Sequence, residues 1–336
     1  MLTYNELYNY IRSLDFDIIG FSKYSQINDE YLTKVNKKDE NNTLYPRNNM
    51  PYQDYVRLDK LINKPMIIIS VGISYHQDKT NNNDNLLGYY SKSSYGLDYH
   101  KYIYPKLQQI IEFIDERTDS LESFASCDTK IIDDRYFAYL CGNGFYGKNT
   151  MLINEEYGSE VFYGTIITNI DMVIPEVKQL DSLCNDCNLC EKICPTKSLN
   201  NYNLNYKSCL AYLTQSRHLI SSSIIKNKIY GCDDCNDICP YNKKVTSHSV
   251  FKNDSGYVNL IQVIKMSNSE YNNYFKDKSL LWLNKTIIKK NAILCLGNYL
   301  PKYHSEILSL AREVKSCTKS SLLIEAFDYI LQQEGN

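Results

Sequence analysis

The chain has 336 residues, 43% hydrophobic and 23% charged, with 31 Tyr, 12 Cys and a formal charge of −2. That apolar share supports a packed core and the length predicts two or three domains, which excludes wholesale disorder and a small secreted scaffold. The longest apolar run, Met66 to Tyr75, is far shorter than the roughly 20 residues of a membrane span, so no membrane association is expected.

The N-terminus, MLTYNELYNYIRSLDFDIIG, carries acids early and has no continuous apolar stretch. It does not read as a signal peptide, and a cytoplasmic protein is expected. Residues 1–178 show a mixed α and β pattern. Pro65–Tyr75 is a continuous β-branched run that predicts a strand buried on both faces. The polar, Asn-rich stretch 78–85 predicts a surface loop. Ile103, Leu107, Ile110, Ile111 and Ile114 recur at helical spacing, which predicts an amphipathic helix. EVFYGTIIT (160–168) predicts another strand.

Eight of the twelve cysteines then fall between 184 and 239, the span of a predicted segment 179–245. In a reducing compartment such density points to metal or redox chemistry rather than disulfides. CNDCNLCEKICP (184–195) is C-x2-C-x2-C-x3-C-P, the bacterial two-cluster ferredoxin run, in which the last cysteine serves the other cluster. CDDCNDICP (232–240) repeats its latter part, and Cys209 supplies the missing thiol ahead of a 22-residue insertion (210–231). Crossed ligation assigns Cys184, Cys187, Cys190 and Cys239 to one 4Fe–4S cluster. Cys194, Cys209, Cys232 and Cys235 make the other. Two structural zinc sites are the alternative, but four cysteines at this spacing crowd a single tetrahedral ion. Cys127, Cys141, Cys295 and Cys317 read as small buried hydrophobes.

Residues 246–336 are helical in pattern: 280–301, then 305–317, then 319–333. Gly297 and Pro301 act as stop signals, and the short turns suggest about two HEAT-type units. Charge is segregated. Lys192 to Cys232 holds six basic residues and no acid, and Lys278 to Ser305 holds five and no acid, leaving −13 on the remainder. That distribution suits a polyanion such as RNA.

Several motifs together carry a resemblance. CLAYLT (209–214) and IYGCDDCNDICPYN (229–242) complete the doubled cysteine pattern. Upstream stand SSYGLDYH (93–100), SCDTKII (126–132) and GFYGKNTMLINEEYGS (144–159); downstream stands KKNAILCLGN (289–298). In this order, over about 57–298, they resemble the epoxyqueuosine reductases. The resemblance implies an α+β chain of three domains: a nitroreductase-like cobalamin-binding catalytic domain (1–178), a two-cluster ferredoxin-like domain (179–245) and a HEAT-like helical domain (246–336). It implies reduction of epoxyqueuosine to queuosine at the wobble position of tRNA, the last step of queuosine synthesis. Cobalamin would be fed by two 4Fe–4S clusters and an external low-potential electron donor.

Deoxygenating an epoxide takes two electrons that no side chain supplies, so a cofactor must carry them. The chain lacks an Asp-x-His-x-x-Gly pattern, because Asp98-Tyr99-His100 is not followed by the Gly, and base-off cobalamin is expected. Asp128 matches the family's proton donor, a role that needs desolvation or a neighbouring negative charge to keep it protonated. Lys130 and Ile131 stand where the family commonly has Gly-Pro, and Phe145 or Tyr146 replaces its tryptophan as a stacking ring. Lys148, Asn149 and Thr150 offer a cation and polar donors for corrin side arms and the tail phosphate. Arg57, Tyr95 and Asp98 are further cobalamin candidates. Arg217, Lys226, Lys228, Lys243, Lys244, Lys289 and Lys290 are candidates for tRNA phosphates. A reductive dehalogenase-type enzyme and a two-cluster electron carrier are the alternatives. The first class usually carries an export signal and lacks a basic helical tail; the second has no use for a domain holding Asp128.

Overall fold

The computed structural model describes residues 2–26, 62–78, 86–118, 122–128, 132–243, 245, 248–251 and 255–332. Arg57, Lys244 and most of the Asn-rich stretch lie outside them.

The first half is built on a four-stranded sheet of β1 (Ile18–Lys23), β2 (Ile67–Ser74), β4 (Ser123–Ser126) and β5 (Val161–Thr168), in the order β1-β2-β5-β4. Every neighbouring pair is antiparallel, and β2 runs against β5 from Ile67 opposite Thr168 to Ser74 opposite Val161. All eight residues of β2 are buried, because helices cover both faces of the sheet. Ile67, Ile69, Val71 and Ile73 pack with Ile103, Leu107, Ile110 and Ile114 of helix α2 (Tyr99–Asp115). Ile68 and Ile167 face Tyr136, Phe137 and Leu140 of α3 (Asp134–Leu140) on the other side. The unbroken apolar run therefore has a two-sided cause. Helix α1 (Tyr4–Ser13) sends Leu7 and Ile11 into the α2 side. Gly164 lets α2 approach closely: a Cβ there would lie 2.9 Å from Ile103.

A second sheet joins distant parts of the chain. Short strand β3 (Leu87–Tyr90) is flanked by β6 (Lys228–Tyr230), parallel to it, and by β7 (Tyr257–Asn259), antiparallel to it. Each of the three segments expected as domains contributes one strand. Helices α4 (Lys285–Leu296), α5 (Leu300–Cys317) and α6 (Ser321–Gln332) complete the C-terminal core. The helix expected from residue 280 begins later, since 279–282 form a 3-10 turn and Asn284 caps α4. Pro301 opens α5 rather than closing α4, as proline suits a first helical turn.

Helix α4 is buried on nearly all sides, and its polar residues tie down the 210–231 insertion. Lys290 is fully buried and its Nζ donates to the Ser216 and His218 carbonyls at 3.1 and 2.8 Å. Asn291 Nδ2 donates to the Thr214 and Ile229 carbonyls at 2.6 and 2.8 Å. Lys290→Met would leave two carbonyls without this donor. It is expected to lower stability by about 1–3 kcal/mol, read from denaturant unfolding; equal midpoints would show that the carbonyls find other partners.

Candidate active site and cysteine nests

Asp128 ends β4's outgoing turn at φ +52°, in the left-handed region, and is exposed. Its carboxylate accepts the Tyr99 hydroxyl, and Tyr99 begins α2. The Tyr99 ring is stacked between His100 at 4.1 Å and Phe162 of β5 at 3.9 Å, so the sheet and helix fix the donor's direction. Protein burial does not itself desolvate Asp128. The buried acid is its neighbour, Asp134, at the start of α3. Asp134 Oδ2 accepts the Asp128 backbone N–H at 2.7 Å and the Ser126 hydroxyl at 3.3 Å.

Burial pushes the Asp134 carboxyl up to about 7, and Asp128 and Asp133 add to the rise while hydrogen bonds oppose it. Between the ordinary value of 3.8 and about 7 the folded chain keeps this proton and the unfolded chain releases it. Its stabilising share is therefore complete below that window and declines as pH rises through it. Unfolding at a series of pH values should show the stability gap between the unsubstituted chain and Asp134→Asn shrinking from pH 4 toward pH 7. A gap that does not move with pH would contradict this.

The cysteines gather in two sets. Cys184, Cys187, Cys190 and Cys239 line one cavity of about 300 Å³, with Lys148, Asn149, Ile153 and Leu189 among its other walls. Cys235 lies within electrostatic reach of Cys232 and Cys209, and Cys209 of Cys194. Cys190 also acts on Cys235, so the two sets are neighbours. None of the eight is in a disulfide. Burial pushes Cys190 up to about 11 and Cys232 up to about 12, and raises Cys209, Cys235 and Cys239 as well. Bare thiols in such surroundings hold their protons; an iron core supplies the positive charge that thiolates need. Cys194 differs: burial raises it, but the Ser198 and Thr196 donors outweigh that and bring it below the usual thiol value. Ser198 N and Oγ lie 3.3 and 3.2 Å from its sulfur. Cys127, Cys141 and Cys295 are buried as expected, whereas Cys317 is exposed.

Other expected residues are placed differently. Lys148 and Asn149 face the cysteine cavity rather than an open pocket: the Lys148 N–H donates to Cys184 Sγ at 3.4 Å and its Nζ to the Asn185 carbonyl at 2.6 Å. Asn149 is buried and donates to Asn236 Oδ1 at 3.3 Å. Thr150 closes the same turn through its N–H to the Gly147 carbonyl at 2.9 Å. Tyr95 is buried in the C-terminal core. Asp98 caps α2, accepting the His100 N–H at 3.1 Å and engaging His100 Nδ1 at 2.8 Å. Phe145 is buried against Cys239, with Tyr241 at 5.3 Å, and so walls the first nest; Tyr146 is half-buried beside Tyr139.

Among the basic candidates, Arg217, Lys226 and Lys243 are exposed. Lys290 is not available to phosphate, because burial and two carbonyl bonds hold it inside. Lys228 is buried and paired with Asp234 at 3.2 Å. Lys289 is half-buried and donates to the Met266 carbonyl at 2.5 Å.

A buried charge network, with no signal in the spacing, joins the sheet to the second nest. Lys92 Nζ reaches Glu160 Oε1 at 2.7 Å and Asp237 Oδ1 at 2.8 Å, and the other Glu160 oxygen meets His76 Nδ1 at 2.5 Å. Burial works against the Lys92 charge, but the Glu160 and Asp237 carboxylates outweigh it and hold the ammonium pKa above its usual value. Asp233 accepts Ser91 Oγ at 2.6 Å and the Lys92 N–H at 2.9 Å. Asp233 and Asp237 flank Cys235, so the sheet holds the loop that carries this thiol. Beside it, Gly158 at φ +67° leaves room for Asn242, whose Oδ1 accepts the Ser159 N–H at 2.7 Å.

Four free thiols lining one cavity, with Cys235 of the remaining set within electrostatic reach of Cys190, on a mixed α/β body are the chemistry of an iron–sulfur protein. Residues 183–242 match the family model for a 4Fe-4S double cluster binding domain. Residues 56–129 match the model described as Epoxyqueuosine reductase QueG, DUF1730. An epoxyqueuosine reductase of Lactococcus garvieae is 33% identical over 318 residues, covering 89% of this chain and 89% of that one. That of Listeria monocytogenes is 33% identical, over 74% of this chain and 69% of the relative. The chain belongs to the epoxyqueuosine reductase family. Its fold matches a crystal structure of an epoxyqueuosine reductase with an epoxyqueuosine-modified tRNA-Tyr stem loop. The TM-score is 0.90 at 27% identity, over 99% of this chain and 90% of the other. The Streptococcus thermophilus enzyme matches at a TM-score of 0.88 and 25% identity, over 98% and 90%.

Proposed function

We propose that this chain reduces epoxyqueuosine to queuosine in tRNA, with electrons drawn through two 4Fe–4S clusters and a bound cobalamin. The observation that carries the reading is the fold match, over 99% of the chain, to an enzyme solved with an epoxyqueuosine-modified tRNA stem loop. Family membership supports the same reaction. Among the described residues no helix is long and apolar enough to cross a membrane.

Releasing the epoxide oxygen as water takes two electrons and two protons. Cobalamin, when bound, supplies the two-electron chemistry at carbon. The fit rests on an exposed acid, Asp128, held by Tyr99 within the stack of His100, Tyr99 and Phe162. Asp128 hands a proton to the departing oxygen, and Tyr99 holds that carboxyl in place. The nest of Cys184, Cys187, Cys190 and Cys239 and that of Cys194, Cys209, Cys232 and Cys235 hold the clusters; an external low-potential donor fills them. We retain 1–178 as the catalytic, nitroreductase-like segment, 179–245 as the two-cluster segment and 246–336 as a HEAT-like segment. Arg217, Lys226 and Lys243 meet RNA phosphates.

The test is an anaerobic incubation of the cluster-loaded chain with an epoxyqueuosine-containing anticodon stem loop, followed by nucleoside analysis. Queuosine should form only when reductant and cobalamin are both present. Cobalamin binding without conversion would point to a small-molecule reductase instead.

A further inference from the structure

Trp282 is the one tryptophan of the chain, and it is 64% exposed. It ends the turn Ser279–Trp282, which is fastened to the active-site rim. Ser279 Oγ lies 2.8 Å from Ser94 Oγ and donates to the Ser93 carbonyl at 2.9 Å. Just before the turn, Asp277 binds Lys101 Nζ at 2.6 Å, and its carbonyl accepts the Asp98 N–H at 2.5 Å. Asp98 caps the helix whose first residue is Tyr99, the partner of Asp128. The indole N–H donates to Tyr230 Oη at 3.2 Å, so one edge of the ring is anchored while most of its surface stays open. Leu281, beside it, is also exposed.

Along the chain the turn opens a basic stretch, with Asp277 just before it engaged by Lys101. Lys278 and Lys285 bracket the turn, within a stretch from 278 to 305 that contains no acid. An anchored, exposed ring among lysines suits a polyanion that also carries flat apolar faces, which is a single-stranded nucleic acid. A protein partner would exploit the ring but not the one-signed charge.

We infer that Trp282 is a stacking platform for a base of the tRNA anticodon loop, one next to the base being reduced. The inference rests on the reductase reading above. Stacking on the rim would hold the loop open while the modified nucleotide reaches Asp128.

The single indole makes the test direct. The cluster-loaded chain is titrated with an anticodon stem loop while indole emission is followed under excitation that tyrosine does not absorb. Stacking predicts saturable quenching that tracks binding of a labelled stem loop. Trp282→Ala should weaken binding about tenfold, with the loss falling in KM rather than kcat. Trp282→Phe and Trp282→Tyr should recover most of the affinity, and Trp282→Lys should not. Saturated binding with unchanged emission, or equal affinity for Trp282→Ala, overturns the proposal and leaves the reductase reading standing. If the unsubstituted chain binds no stem loop, that reading falls and the stacking role falls with it.

Discussion

Asp128→Ala is expected to keep its iron, its cobalamin and its stem-loop affinity while turnover falls by about 10²–10⁴-fold, the usual worth of a positioned acid. The expectation follows from where the carboxyl sits. It is exposed on a left-handed turn, with Tyr99 donating to it and the buried Asp134 accepting its backbone N–H. Asp128→Asn keeps the shape and loses the transferable proton, so it should be nearly as slow as the alanine variant. Tyr99→Phe keeps the acid but releases its orientation, and a smaller loss, about tenfold, is expected. Single-turnover rates on a modified stem loop measure all three. An Asp128→Ala enzyme that still turns over at the full rate would remove the assigned role.

The second large effect tests how the cysteines are shared. Cys239 stands 49 positions after Cys190 in the chain, yet both line the cavity with Cys184 and Cys187. Cys239→Ala and Cys184→Ala should therefore lose the same cluster, about four irons, and leave the same residual electron paramagnetic resonance signal. Cys194→Ala and Cys232→Ala should lose the other. All four variants should fail to convert epoxyqueuosine, since a two-centre path is broken by removing either centre. If Cys239→Ala instead shares its signal with Cys232→Ala, each run binds its own cluster and the crossed assignment is wrong.

Features set by local pattern were legible in the sequence. The β2 strand shows itself because both its faces are covered, and α2 because only one stripe of it is. The cysteine runs point to clusters because their spacing reflects the geometry of the metal core. Burial of charge left no such trace. Lys290 reads as one more lysine in a basic run, yet it is fully buried and binds the carbonyls of the 210–231 insertion. Lys92, Glu160 and Asp237 are far apart in the chain, and only the folded sheet brings them together. Tyr99 and Asp134 sit within or just after the quoted motifs, but only the three-dimensional turn shows that each holds Asp128. A tight turn with a lysine suits several ligands, so the Gly147–Thr150 pattern does not show that the Lys148 N–H meets Cys184 Sγ.

Chemical analysis of the freshly purified, oxygen-protected chain tests the electron supply most directly. Two intact cubanes predict about eight irons and eight acid-labile sulfides per chain, lost together on exposure to air. A zinc-loaded protein free of inorganic sulfide would contradict the account, for nothing in the chain could then store the electrons that remove the oxygen.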